Sequence, residues 1–273
     1  MVKVELICIG NEILIGKTLN TNAHWLAKRV TSLGLKVNRI TTVADDLEEI
    51  SSAINEALSR NPRFIITTGG LGPTFDDKTL EGIAKALNLK LEVNDEALKM
   101  IEEKYAQYVK EGRMEKAELT PHRVKMATLP VGAKPLPNPV GTAPGVLINY
   151  ENVTVIALPG VPSEMKAIFD ESVVPVLRKE AGKVIFYEAG MEVLGIVESE
   201  IAPLIDKVMH DNPYVYIKSH PKGEEKTSRI ELHFSTTSED VETAKKRVGR
   251  AIIQISDMIK KKGGKIRPIK TSG

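Results

Sequence analysis

Two adjacent carboxylates, Asp76 and Asp77, follow a stretch that gives up three side chains within four positions, at Gly69, Gly70 and Gly72. Glycine lets backbone N–H groups turn outward and lets a ligand approach where a Cβ would stand. Amides presented in that way cradle an anion, and paired carboxylates beside them can hold a hard cation against it. The same two residues have a purely local reading. An acidic side chain suits a helix start, and Thr74-x-x-Asp77 has the spacing of a capping box. On these residues alone both readings stand.

The flanks fit a ligand loop. Phe64 to Ile66 is an apolar strand leading through Thr68 into the glycine turn, where Leu71 sits and Pro73 stiffens the exit. Thr74, Asp76 and Asp77 then open a helix to about Leu87, with Leu80, Ile83, Ala84 and Leu87 along one face. Strand, glycine turn and helix N-terminus in succession make a common phosphate site. Gly10 to Thr18 resembles a P-loop, but five residues separate its glycines where four are needed. Ile13, Leu14 and Ile15 among them cannot form a nest of amides. What that segment offers is polar: Asn11, Glu12, Asn20 and Asn22. Asn20 or Thr21 caps the next helix, Ala23 to Leu33, and Asn22 reads alternatively as a first-turn residue.

Two further segments draw notice. Leu129 to Tyr150 carries Pro137, Asn138, Pro139, Gly141 and Thr142. Turn chemistry accounts for such a composition, yet its rigidity is unlike a linker, which would be built of Ser and Gly. Gly145 to Asn149 and Val153 to Ala157 read as a strand pair. Gly160 follows in Leu158-Pro-Gly-Val-Pro, and Ser163 is placed to cap a helix to Phe169 or Leu177. In an open parallel sheet, ligands bind beyond the carboxyl ends of the strands. Several of these loops follow strands, which implies a cleft lined by amides, asparagines and carboxylates. No Ser-His-Asp set, Cys-His pair or zinc spacing competes with it. His122, flanked by arginine and lysine, reads as a solvated surface residue.

The positioning elements are legible in order. Val2 to Ile9, Lys36 to Val43 and Phe64 to Ile66 are strands. The helix Ala23 to Leu33 and one from Asp45 or Asp46 to about Ser59 lie between them. This β-α-β-α-β-α order requires a parallel sheet with right-handed crossovers. A strand at Leu89 to Val93 leads into a helical insertion: Asn94 or Asp95 to Glu111, Met114 to Leu119, and Pro121 to Met126. After Pro175 the composition changes. Strands at Lys183 to Ala189, Tyr214 to Ser219 and Arg229 to Ser235, with helices at Val193 to Met209 and Val241 to Ile259, make a β-α-β-β-α domain. The domains are expected at 1–178 and 179–262, with a solvated basic tail at 263–273. The small domain lacks a Gly-x-x-Gly loop, so an RNA clamp of the KH type is not expected.

The totals bound the rest. The chain has 273 residues, 42% of them apolar, which is enough for a real core, and a net charge of +2. That balance excludes a general trap for nucleic acid or anionic membrane. The one cysteine, Cys8, lies in the first apolar run and reads as a core residue. The N-terminus enters a strand at once, and no apolar run reaches spanning length, so a soluble cytoplasmic protein is expected.

Five motifs in order resemble the CinA family: Ile9-Gly-Asn-Glu-Ile-Leu-Ile-Gly16, Asn20-Thr-Asn22, Thr68-Gly-Gly-Leu-Gly-Pro-Thr74 with Asp76-Asp77, Pro137-Asn-Pro-Val-Gly-Thr-Ala-Pro-Gly145, and Leu158-Pro-Gly-Val-Pro-Ser-Glu-Met165. The resemblance covers residues 2 to 178, and residues 183 to 260 are similar to the small domain that follows in such proteins. Its first domain is similar to the molybdopterin-binding domains of the MoaB, Mog and gephyrin group. The resemblance implies a three-layer α/β/α sandwich with a mostly parallel sheet, followed by a smaller α+β domain. Full-length members continue into a domain that deamidates nicotinamide mononucleotide. This sequence ends before it, so that activity is not carried over.

The implied activity is that of a nucleotide diphosphate hydrolase: cleavage of ADP-ribose or a related dinucleotide pyrophosphate. It would use a divalent cation (Co²⁺, Mn²⁺ or Mg²⁺), with potassium as a further candidate. Asp76 and Asp77 would hold the cation, and Glu12 would be a further ligand or the general base. The ligand would meet Thr68, Gly69, Gly70, Leu71, Gly72, Pro73 and Thr74. Asn11, Asn20, Asn22, Asn138, Gly141, Thr142 and Gly160 would complete its surroundings. Two alternatives stand beside this one: a molybdopterin-binding protein of cofactor biosynthesis that hydrolyses nothing, and a nucleotide sensor. The expected partners are the small nucleotide or pterin ligand and a second copy in a homodimer, with no nucleic acid and no membrane.

Overall fold

The computed structural model describes residues 1–222 and 229–269. It divides into two units: residues 1–31 with 35–181, and residues 32–34 with 182–273. The second domain therefore begins near Gly182 rather than at 179, because the closing helix of the first unit continues to Ala181.

The first unit begins with β1 (Lys3–Ile9), α1 (Asn11–Leu14), α2 (Thr21–Ser32), β2 (Lys36–Val43), α3 (Leu47–Ser59), β3 (Phe64–Thr68) and α4 (Thr79–Ala86). Then come β4 (Leu91–Val93), α5 (Asp95–Lys110), α6 (Pro121–Lys125), β5 (Thr128–Pro130), β6 (Lys134–Leu136), β7 (Gly145–Tyr150) and β8 (Val153–Leu158). The unit closes with α7 (Pro162–Ile168), a π turn at Phe169–Val173, and α8 (Val174–Ala181). Its main sheet has the order β2-β1-β3-β8-β7-β6. β2, β1, β3 and β8 are parallel, and β7 runs antiparallel between β8 and β6. β1 is buried from Val4 to Ile9, as its unbroken apolar run requires of a strand covered on both faces. Ile50, Ile54 and Ala57 of α3 and Ile83 of α4 pack with Ile7, Ile65 and Val155 in one core. Glu5 is buried in β1 and meets the Arg60 guanidinium at 2.7 Å, which leaves its charge paired.

Local rules set most boundaries. Asp46 caps α3 by accepting from the N–H groups of Glu48 and Glu49, and Asn94 caps α5 by accepting from Ala97. Four expectations are corrected. The segment after Gly10 opens with a one-turn helix, α1, rather than a loop. Met114 to Leu119 forms no helix. α7 starts with Pro162 at its first positions and no side-chain cap, so Ser163 lies inside it. α4 begins at Thr79 with Lys78 before it and no side-chain cap, so neither Asp76 nor Asp77 caps it.

The second unit comprises β9 (Ile185–Leu194), α9 (Glu198–Asp211), β10 (Tyr216–Lys222), β11 (Arg229–Ser238), α10 (Val241–Lys261) and β12 (Lys265–Ile269). Among the described residues its antiparallel sheet has the order β10-β11-β9-β12. Val193, Leu232 and Phe234 pack against Ile201, Val208, Val248 and Ile255 of the two helices. The expected solvated tail is corrected here. Lys265 to Ile269 pairs antiparallel with β9, extending the order to β-α-β-β-α-β, while 270–273 lie outside the described residues. Lysine and arginine on that strand suit an edge, where charge discourages further pairing.

Candidate functional site

The sheet brings the loops together. Ile9 pairs with Val43, Cys8 with Thr68, and Thr68 with Leu158, so four parallel strands end side by side. The loops that leave them begin at Gly10, Ala44, Gly69 and Pro159. β7 starts at this end too, since it is antiparallel and Val146 lies opposite Ala157. The proline-rich segment that feeds it therefore joins the same rim.

The glycine turn is held tightly to the sheet. Gly69 has φ +106°, and a Cβ there would stand 2.1 Å from the Ile9 carbonyl oxygen. Its N–H donates to Leu158 O at 3.0 Å, and its carbonyl accepts the buried Thr79 hydroxyl at 2.8 Å. Gly160 packs closely against Gly69. Asn22 ties these loops together: its amide nitrogen donates to Gly160 O at 2.7 Å and to Thr68 Oγ1 at 3.0 Å. Gly160 O accepts only, which fixes the orientation of that amide. Asn22 Oδ1 is then buried without a hydrogen-bond partner. Asn20 caps α2, its Oδ1 accepting from Ala23 N–H at 2.9 Å, and it also bonds the Cys8 thiol. Burial pushes that thiol up, and the Asn20 bond offsets part of the shift.

The acidic pair folds back on the turn. Asp77 Oδ2 accepts the Thr74 N–H at 2.8 Å and lies 2.5 Å from the Thr74 hydroxyl, which also reaches Asp76. The Thr74 hydroxyl holds the Asp76 carboxyl below the ordinary range; its own N–H and the nearby Lys125 and Lys78 act in the same direction. Asn11 donates its backbone N–H to Asp45 at 2.7 Å, and the Glu12 carboxylate lies against Gly10. Asp45 is shifted up, first by burial, then by the charges of Glu12, Asp76 and Asp77, with the Asn11 bond opposing. The four carboxylates thus share one patch. Among the described residues, no three His, Cys, Asp or Glu side chains close into a cation cage.

Sequence reasoning missed three contributors. Asp45 appeared only as a candidate cap, although it follows β2, which pairs beside β1. His122, expected in solvent, is exposed yet has Nδ1 3.1 Å from Pro73 O, which requires a proton on that nitrogen. Lys125 Nζ donates to Thr74 O. The proline-rich rim differs from expectation in another way. Asn138 donates to Ala143 O and to Glu164, and accepts from the N–H groups of Val140 and Gly141. Its hydrogen-bonding capacity is filled by its own surroundings. Gly141 is pressed on Glu164, and Thr142 is half-buried beside them.

Residues 5–179 match the family model described as "Probable molybdopterin binding domain". A relative from Sulfurisphaera tokodaii is 45% identical over 263 residues, covering 96% of this chain and 97% of its own. One from Caldivirga maquilingensis is 48% identical over 255 residues, covering 93% and 95%. The solved structure of a CinA protein from Thermoplasma acidophilum, described as of unknown function, superposes with a TM-score of 0.58 at 42% identity. That match spans 66% of this chain and 98% of the other.

Proposed function

The chain belongs to the molybdopterin-binding-domain family in its CinA-like branch, and from that premise we propose a pyrophosphate hydrolase. It binds the pyrophosphate of a nucleotide at the glycine turn and cleaves a dinucleotide such as ADP-ribose with the help of a divalent cation. The observation that carries this reading is the placement of the acidic pair. Asp76 and Asp77 leave α4 uncapped and lie instead against Thr74 and the glycine turn.

The donors suit a hard cation. They are carboxylates, Asp76 is held ionised, and the softer Cys8 is buried. Two protein carboxylates with phosphate oxygens and waters completing the shell is a usual arrangement for Mg²⁺. Bound by Asp76 and Asp77, such an ion supplies charge neutralisation and an activated water. The amides of Gly70 to Gly72 would receive the phosphate oxygens, and Glu12 would accept the proton from water. Potassium would serve as a second, charge-balancing ion.

In the test, the purified chain is incubated with ADP-ribose and Mn²⁺, Mg²⁺ or Co²⁺. AMP is expected with at least one ion and none after chelation; none above a metal-only blank with any ion overturns the reading. The family match favours one second reading, binding of molybdopterin without cleavage. Calorimetry separates the two, because the preferred ligand should bind at least about tenfold tighter, ~1.4 kcal/mol.

A further inference from the structure

The helical insertion touches both the glycine turn and the proline-rich segment, and by one kind of contact: a side chain of the insertion set against a loop carbonyl. From α6, His122 Nδ1 lies 3.1 Å from Pro73 O, and Lys125 Nζ donates to Thr74 O. From α5, Lys104 Nζ donates to Pro139 O at 2.8 Å, and the Tyr108 hydroxyl faces Val140 O at 3.4 Å. Lys104 and Tyr108 are four residues apart, which sets them on one face of α5.

A stack joins the two helices. Arg123 Cζ of α6 lies 3.7 Å from the centre of the Tyr105 ring of α5, and Arg123 Nη1 donates to Glu118 O at 2.5 Å. Tyr105 packs against the core of the unit and meets Tyr108 edge to face at 6.2 Å. A guanidinium over an aromatic face is attracted by the ring's quadrupole. With that stack formed, α6 stays on α5, and the carbonyls of Pro73 and Thr74 keep a fixed place relative to those of Pro139 and Val140. Thr74 is the residue that the acidic pair grips, through its N–H and its hydroxyl. Its carbonyl accepts from Asp77 N–H at 3.3 Å and from Lys125, which fills both acceptor positions. We propose that the insertion is a clamp: Arg123 on Tyr105 holds α6 in place, and His122 and Lys125 are positioning residues that keep the glycine turn and its acidic pair aligned with the proline-rich segment. The clamp stands apart from the hydrolase reading; only its effect on Mn²⁺ use rests on it.

Amide hydrogen exchange on the full chain tests the clamp at Thr74 and Asp77, whose N–H groups bond within the turn. Tyr105→Leu and Arg123→Gln should each speed exchange at both amides about fivefold, the loss expected for one cation–π contact, with the β3 amides unchanged. Tyr105→Phe keeps the ring face and should exchange as the wild type does. Should Tyr105→Leu speed the β3 amides too, and so disturb the fold, Arg123→Gln alone decides. The clamp is overturned if Arg123→Gln leaves Thr74 and Asp77 at the wild-type rate, or if Tyr105→Phe loosens them as much as Tyr105→Leu. In AMP release from ADP-ribose, Arg123→Gln should raise the Mn²⁺ concentration for half-maximal rate by about the same factor and change kcat less. An unchanged Mn²⁺ requirement with a loosened turn overturns the positioning role. No AMP from the wild-type chain sinks the hydrolase and leaves the exchange rates to decide the clamp.

Discussion

The glycine turn and the proline-rich segment share one rim of the sheet, and each carries a motif dense in Gly, Pro, Asn and Thr. They treat their polar groups in opposite ways. Around the turn, Asn22 Oδ1 is buried without a partner and Asp76 is exposed beside an uncapped helix. In the proline-rich segment, Asn138 has both N–H groups and both acceptor positions engaged, two by its own loop's amides, one by Ala143 O and one by Glu164. A motif says only that a backbone shape is needed. Whether that shape serves a ligand or the loop itself is decided by which hydrogen-bonding atoms remain open.

The comparison can be strained from either side. The largest effect on folding is expected at Gly69. Gly69→Ala places a Cβ 2.1 Å from a backbone oxygen at a positive φ, and should cost about 3 kcal/mol or more in chemical denaturation. Gly141→Ala is the contrast, because the atoms nearest to its Cβ belong to the movable Glu164 carboxylate rather than to backbone; it should cost about 1 kcal/mol or less. Equal losses would erase the distinction between the loops.

Next comes Asn138→Ala. It leaves Ala143 O and two amides without partners, so a loss of about 2 kcal/mol is expected, with ADP-ribose affinity of the folded protein retained. A fallen affinity at an unchanged thermal midpoint would move Asn138 into the ligand's surroundings.

The smallest effect belongs to Asp45. Its carboxyl is shifted up in the fold by burial and by neighbouring carboxylates. The folded state therefore favours the protonated form. That stabilisation is full below the ordinary aspartate pKa of about 3.9 and is lost as pH rises through the folded value. Asp45→Asn should accordingly melt slightly higher than wild type at pH 7, with the gap closing by about pH 4. Mn²⁺ should raise the wild-type midpoint more than the variant's. A gap that widens in acid contradicts the shared acidic patch.

Much of the first unit was legible because local rules set it: the apolar run of β1, the alternation of strands with helices, and caps narrowed to Asp45 or Asp46 and to Asn94 or Asp95, of which the fold uses Asp46 and Asn94. The failures have particular causes. A four-residue helix such as Asn11–Leu14 carries no periodicity and buries none of its residues. β12 hides in a basic sequence because an edge strand tolerates charge. The pair Asp76 and Asp77 was visible as a pair, but its choice between cap and cradle depended on where α4 begins. Lys125 and His122 meet the glycine turn from 51 and 49 residues away, a closure that no local pattern encodes.

The central claim is that the acidic pair serves a cation and a pyrophosphate. Asp77→Asn tests it most directly, because the amide oxygen can still accept the Thr74 N–H while the charge is gone. The measurement is AMP release from ADP-ribose with Mn²⁺ by wild type and variant, alongside their thermal midpoints. The account predicts at least about a hundredfold loss of turnover, ~2.7 kcal/mol, at a nearly unchanged midpoint. Turnover equal to wild type, or a loss fully explained by unfolding, would contradict it.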